Sequence, residues 1–296
     1  MKSFLKTVIL LTLTFLCLTG AQAQSRKVIY LQKYNSEPYH FGFLLGVNFM
    51  DYSLILKDNY QNEIHPKSQF SRKNDDTYGF SNERLDHFRI LSAESYTQPG
   101  FSVGVIGDKR LGDYFNLRLC PTLSLSSKFV QYETQLYDSA GEVILIANSD
   151  LNAPTETTKT VKSDDQLATF LEFPLQIKYR SKRYNNIGAY LIAGVNPKLY
   201  LGSIKGTTLK ATQNENGETI NEGVPAVLQI NRTDFAFEFG TGFDIYNQWF
   251  KMGVELKFSI GIVNVMKNDS WSMDYMYNAP LEKVRNKQLQ LSFTFE

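Results

Sequence analysis

Three histidines, His40, His65 and His87, are the first residues in this 296-residue chain that could do chemistry. Asp86 directly precedes His87, and a carboxylate beside an imidazole can orient it to relay a proton to a serine, the logic of a hydrolase triad. Spacing identifies no serine partner, so the pair also reads as two solvated loop residues. His40 reads as a hydrogen-bonded core residue. No HExxH, paired-cysteine or glycine-rich phosphate motif is present, and neither a catalytic residue, a metal site nor a cofactor is expected. Cys17 falls in the leader, which leaves Cys120 without an intramolecular disulfide partner.

A larger set of charged residues asks for a different explanation. Arg118, Glu172, Lys178, Arg180, Lys198, Asp234, Glu238, Asp244, Lys251, Glu255 and Lys257 all alternate with bulky apolar residues. Strict alternation marks a strand with two unlike faces. In "RTDFAFEFGTGFDIY", Phe235, Phe237, Phe239 and Phe243 share one face, while Asp234, Glu238, Asp244, Gly240 and Gly242 share the other. Seven further segments behave alike: "YHFGFLLGVNFM", "GFSVGVIGD", "FNLRLCPTLSLS", "LATFLEFPLQIKYR", "IGAYLIAGVNPKLYL", "FKMGVELKFSIGI" and "KQLQLSFTFE".

A soluble sandwich or lipocalin-like barrel also alternates. The segments, however, have about the 9–11 residues that a tilted strand needs to cross a bilayer. Their connections alternate as well. "KRLGDY", "SKRYNN" and "YNQW" are short, whereas the links over 51–99, 130–166, 202–233 and 264–287 are long. This expects an all-β, eight-stranded antiparallel transmembrane β-barrel with short periplasmic turns and long extracellular loops. Tyr114, Phe115, Tyr179, Tyr246, Trp249, Phe250, Phe293 and Phe295, with Tyr184, are then expected to form a periplasmic aromatic girdle. The charged faces point inward and read as a packed ion-pair network rather than a conduit, with Arg118 expected to pair with Glu172. Pro121, Pro174 and Pro197 interrupt strands, which suggests bulges and a possible slip of strand parity.

The first 23 residues have a basic start at Lys2 and Lys6, an apolar stretch from Thr7 to Leu18 and Ala21-Gln22-Ala23. They read as a signal peptide cleaved after Ala23. Residues 24–38 are expected to be a periplasmic lead and 39–296 the barrel, with both termini periplasmic. Removing two lysines from 31 basic residues leaves 29 against 30 acidic ones, a balance that offers no case for nucleic acid. The expected partners are outer-membrane lipid and the barrel-assembly machinery, which would read the terminal Phe293 and Phe295; Glu296 is a one-residue departure from the usual ending. The first long loop carries Tyr60, Phe70, Tyr78, Phe80, Phe88 and Tyr96, either as a docking surface or packed over the barrel mouth. Asp138-Ser139-Ala140 resembles a short O-glycosylation acceptor.

"PYHFGFLLGVNFMDY", "GFSVGVIGDKRLGDYFNLRLCPTLSLS" and "FLEFPLQIKYRS" together resemble the PorT family, which with its gliding counterpart SprT belongs to the Bacteroidota outer-membrane β-barrels. "PYHFGF" followed by "LGVN", after the lead "KVIYLQKYN", narrows the likeness to that family. The resemblance implies a non-enzymatic outer-membrane component of type IX protein secretion, and of gliding motility where present, with other secretion-system envelope proteins as partners. A general small barrel acting as envelope anchor, adhesin or narrow pore is the alternative.

Overall fold

The computed structural model describes residues 28–66, 85–144, 158–162, 166–202, 208–213, 219–224, 230–266 and 280–296. The strands in chain order are β1 (Tyr39–Leu56), β2 (His65–Pro66), β3 (His87–Arg110), β4 (Phe115–Leu119), β5 (Thr122–Tyr137), β6 (Lys159–Lys162), β7 (Gln166–Glu172), β8 (Leu175–Arg180), β9 (Ile187–Tyr200), β10 (Thr208–Gln213), β11 (Thr219–Val224), β12 (Thr233–Tyr246), β13 (Lys251–Gly261) and β14 (Leu281–Phe295). Pro121 separates β4 from β5, and Pro174 separates β7 from β8, so each of those pairs makes one stave. Eight staves follow one another as an antiparallel meander, and β14 returns to pair with β1, from Phe43 opposite Phe295 to Leu56 opposite Leu281. The sheet therefore closes on itself, and no strand of the ring is left as an edge.

The alternation seen in the sequence decides which face lies inside. Phe41, Phe43, Phe101, Val105, Leu175, Ile177, Leu191, Phe237, Phe239, Leu256, Leu291 and Phe293 are exposed on the outer wall. A continuous apolar belt of this kind is stable in hydrocarbon and not in water. Tyr114, Phe115, Tyr179, Tyr184, Trp249, Phe250 and Phe293 are also exposed, and Phe295 is half-buried. Tyr246 is not part of this outer band. It lies on the inward face of β12 with Asp244 and is buried, because its position is even where the outer phenylalanines are odd.

Beyond the belt, on the side of the long connections, the polarity inverts. The inward positions become apolar: Met50 and Tyr52 on β1, Phe88 and Ile90 on β3, Val130, Tyr132 and Leu136 on β5, and Leu281 and Val284 on β14 form one buried cluster. The outward positions become polar, with Asp51, Ser53, Glu94, Gln131, Glu133, Lys283 and Lys287. On β1 and β5 the parity is kept and only the solvent outside changes, whereas on β3 two register shifts turn Glu94, Tyr96 and Gln98 outward between the inward Ile90 and Ser102. Consequently the segments expected to be loops over 51–99, 130–166 and 264–287 include continued strand, notably Asp51–Leu56, His87–Gln98, Val130–Tyr137 and Leu281–Lys287. Likewise 202–233 contains the β10–β11 hairpin.

None of the three prolines shifts parity. Cys120 and Thr122 are both buried on either side of Pro121, as are Glu172 and Gln176 around Pro174, and Asn196 and Lys198 around Pro197. No bulge is needed at them, because each proline carbonyl still accepts from the next stave: Val105 N donates to Pro121 O at 3.0 Å, Cys120 N to Pro174 O at 3.1 Å, and Phe173 N to Pro197 O at 3.0 Å. The Cys120 carbonyl accepts instead from the Thr122 hydroxyl at 2.7 Å. The register shifts lie elsewhere, in the upper wall at Ile90/Ser92, Gln98/Phe101 and Ile55/Leu56.

Candidate functional site

An eight-stave barrel leaves an interior just wide enough for side chains to meet across it. Among the described residues, seven cationic groups (Arg118, Lys128, Lys178, Arg180, Lys198, Lys251 and Lys257) face seven anionic ones (Asp108, Glu172, Asp234, Glu238, Asp244, Glu255 and Glu296). All eleven charges singled out from the sequence point inward and are buried. Burying a charge costs several kcal/mol unless it is paired and hydrogen-bonded, so balance of this kind marks a packed filling.

At mid-height, Arg118 Nη1 donates to Glu255 Oε2 at 2.5 Å, and the Tyr190 hydroxyl donates to the same oxygen at 3.0 Å. Arg118 does not pair with Glu172 as expected. On the neighbouring staves Arg118 lies opposite Asp108 and Gln176, whereas Glu172 lies opposite Thr122 and Lys198. The guanidinium reaches across the lumen to β13, and Glu172 takes Lys198 at 3.4 Å. Asn196 Nδ2 bridges Glu172 and Glu238 at 2.6 Å each. Lys257 approaches Glu238 at 3.6 Å, and Gln176 donates to it at 2.8 Å.

Toward the apolar cluster, Lys128 donates to Asn286 Oδ1 at 2.5 Å and lies 3.6 Å from the centre of the Tyr52 ring. Asn286 donates in turn to Asp234 at 2.9 Å. Lys198 donates to Gln288 at 2.5 Å. Sequence reasoning passed over Lys128, Asp108 and this amide row, although even-position parity from Ser124 and Ser126 runs straight on to Lys128.

The short-turn end is closed by the lead. Lys178 pairs with Asp244 at 3.0 Å and Lys251 with Glu296 at 3.0 Å. The Tyr34 hydroxyl donates to Glu296 at 3.2 Å, and its ring stacks on His40 at 4.1 Å and meets Tyr246 edge-on at 6.0 Å. Burial and the Glu296 carboxylate push the Tyr34 phenol above its usual range. Asn35 Oδ1 accepts from both Arg180 and Tyr246 at 2.9 Å. Arg183 lies 3.8 Å over the Tyr246 ring and donates to the Leu31 carbonyl at 3.2 Å and to the Tyr30 carbonyl. Glu296, the unusual terminal residue, thus turns inward and joins the lead to the last stave.

The histidines have separate partners, although His65 and His87 stand one register step apart on the paired strands β2 and β3. His40 Nε2 contacts the Tyr34 carbonyl at 2.7 Å, His65 packs on Phe88 at 5.3 Å, and His87 contacts Asp86 at 3.1 Å while stacking on Tyr137 at 4.9 Å. Among the described residues no cluster of His, Cys, Asp or Glu could hold a metal. Of the first-loop aromatics, Phe88 is core, Tyr60 donates to the Leu91 carbonyl at 3.0 Å, and Tyr96 stacks on Phe129 at 5.3 Å on the outer wall. Phe70, Tyr78 and Phe80, like the cleavage site at Ala23, lie outside the described residues.

The family described as outer membrane protein beta-barrel domain matches residues 22–267. The chain belongs to that family. This outer-membrane barrel matches no curated protein. Similar solved structures include OprG from Pseudomonas aeruginosa (9% identity, covering 86% of this chain and 92% of that one, TM-score 0.33). Ail, the attachment invasion locus protein of Yersinia pestis, in complex with the heparin analogue sucrose octasulfate, is similar at 8% identity, covering 88% and 98%, with TM-score 0.29. LpxR from Salmonella typhimurium is similar at 9%, covering 85% and 99%, with TM-score 0.26.

Proposed function

We propose that this chain is a non-enzymatic outer-membrane anchor that does not conduct, with the long connections and upper wall outside the cell and both termini in the periplasm. The observation that carries this reading is the filled lumen. A charge-balanced network occupies its mid-height, an apolar cluster closes it above, and the Tyr34 region closes it below. A pore would need a continuous wet path lined by groups free to exchange water. A hydrolytic site would need a serine aimed at His87; Ser92, on the same strand, donates instead to Glu133 at 3.0 Å. Liposomes reconstituted with the protein and loaded with a small dye are expected to retain it, and rapid release would contradict this reading.

The type IX secretion reading is a narrower form of the same proposal. It rests on the PorT-like "PYHFGF" and "LGVN" segments and is favoured by the way residues 28–35 of the lead are bound to the barrel, which presents a fixed periplasmic surface to other envelope proteins. Deletion of the gene should then abolish export of the secreted cargo. Normal export would remove this narrower reading and leave the anchor.

A further inference from the structure

We infer that the outward face of upper β14 binds the phosphate groups of an outer-leaflet lipopolysaccharide. Leu289, Leu291, Phe293 and Phe295 occupy the outward positions of β14 within the apolar belt. In the same row, immediately above the belt, stand Lys287, Arg285 and Lys283. Residues i, i+2 and i+4 of a strand share one face, at about 7 Å spacing. The three cations therefore form a stripe whose lower end meets the hydrocarbon edge, where acyl chains stop and headgroups begin.

Other described cations lie above the belt, Arg89 on β3, Lys162 on β6 opposite Gln131 and Arg232 just before β12, but none of them belongs to a row of three on one strand face. Above the belt β1 presents Asp51, Ser53 and Ile55, β3 presents Gln98, Tyr96 and Glu94, and β5 presents Ser127, Phe129, Gln131 and Glu133. Two acids face the stripe: Asp51, 3.4 Å from Lys287, and Glu282, 3.0 Å from Lys283. Both pairs are partly or largely solvated, so each is worth little and leaves its lysine available. Arg285 lies between them in the same row. A guanidinium flanked by two lysines suits a phosphate with two oxygens to offer. The apolar row beneath supplies the surface for the acyl chains of the same molecule, which argues for a lipid rather than a free ion.

The inference rests on the long-connection end facing outward, and the test separates the two. Ser139→Cys, in the exposed turn after β5, should react with an impermeant maleimide in intact cells; protection would place the stripe in the other leaflet and overturn the inference. The full mature chain, folded in neutral detergent, is then titrated with deep-rough lipopolysaccharide, and its thermal midpoint is followed by heat-modifiable gel mobility. At about 1 kcal/mol for each cation near an anionic surface, Lys283→Ser/Arg285→Ser/Lys287→Ser should bind roughly 100-fold more weakly. Dephosphorylated lipopolysaccharide should shift neither protein, and Lys109→Ser, at the opposite end, should behave as wild type. Equal responses of triple variant and wild type, or an equal response to the dephosphorylated lipid, would contradict the inference. An unliganded midpoint close to wild type establishes that the triple variant is folded.

Discussion

Single residues in the lumen act through their partners more than through their own chemistry. Arg118→Ala strips Glu255 of its cation in a fully buried site, and the expected loss is about 3–5 kcal/mol, read from urea unfolding of the protein in lipid vesicles. Glu172→Ala should release Lys198 rather than Arg118, so the double variant with Arg118→Ala is expected to be additive; strong coupling between them would restore the pairing expected from neighbouring staves. That expectation failed for a geometric reason. Adjacent staves bring Arg118 beside Gln176 and Asp108 rather than Glu172; Asp108 accepts from Asn116, and the long guanidinium side chain meets Glu255 across the lumen. Gly242 shows the opposite constraint. A Cβ there would lie 2.4 Å from Tyr190 Cζ and 2.7 Å from the Val254 carbonyl. Gly242→Leu should therefore unfold the barrel or displace Tyr190 from Glu255. Tyr34 supplies a pH dependence. Its phenol is raised in the folded chain, so the contribution of the docked lead is complete below the usual phenol value of about 10 and is lost as pH rises past it. Tyr34→Phe should make release of the lead, followed by protease cutting, independent of pH in that range.

At the scale of elements, the eight staves were legible in the sequence because their faces differ. Phenylalanines at odd positions of 235–243 against Asp234, Glu238 and Asp244 specify both a strand and its inner side. The upper wall was not legible, although its strands alternate equally well. In "MDYSLIL" and "KFVQYETQLY" the apolar residues change sides relative to the belt, because water replaces lipid outside and hydrophobic burial moves inward. A search for one sense of alternation stops where the sense reverses. Phe88 and Tyr132, both fully buried in this upper cluster, are then core residues of a water-facing barrel. Phe88→Ala should cost about 3–5 kcal/mol. Phe239→Ala on the lipid face leaves no interior cavity and should cost far less. Comparable losses at the two positions, measured by the same vesicle unfolding, would contradict the inversion. The lead was legible as a short tether but not as a docked one, since its contacts come from Arg183, Asn186 and Tyr246, over 140 residues away in sequence.

At the scale of the whole molecule, the barrel is a closed ring of staves with two chemically different storeys. The lower has lipid outside and a balanced polar filling; the upper has water outside and an apolar filling. The filling gives rigidity at the expense of a passage, which suits a fixed support for whatever the two ends hold. Single-channel recording on the full mature chain in a planar bilayer tests this most directly. The account predicts a flat current at every holding potential, with insertion established independently by heat-modifiable mobility. Stable, resolvable conductance steps from the inserted wild-type protein would show that the network of Arg118, Glu255, Glu238 and Lys257 does not close the lumen, and would contradict the account.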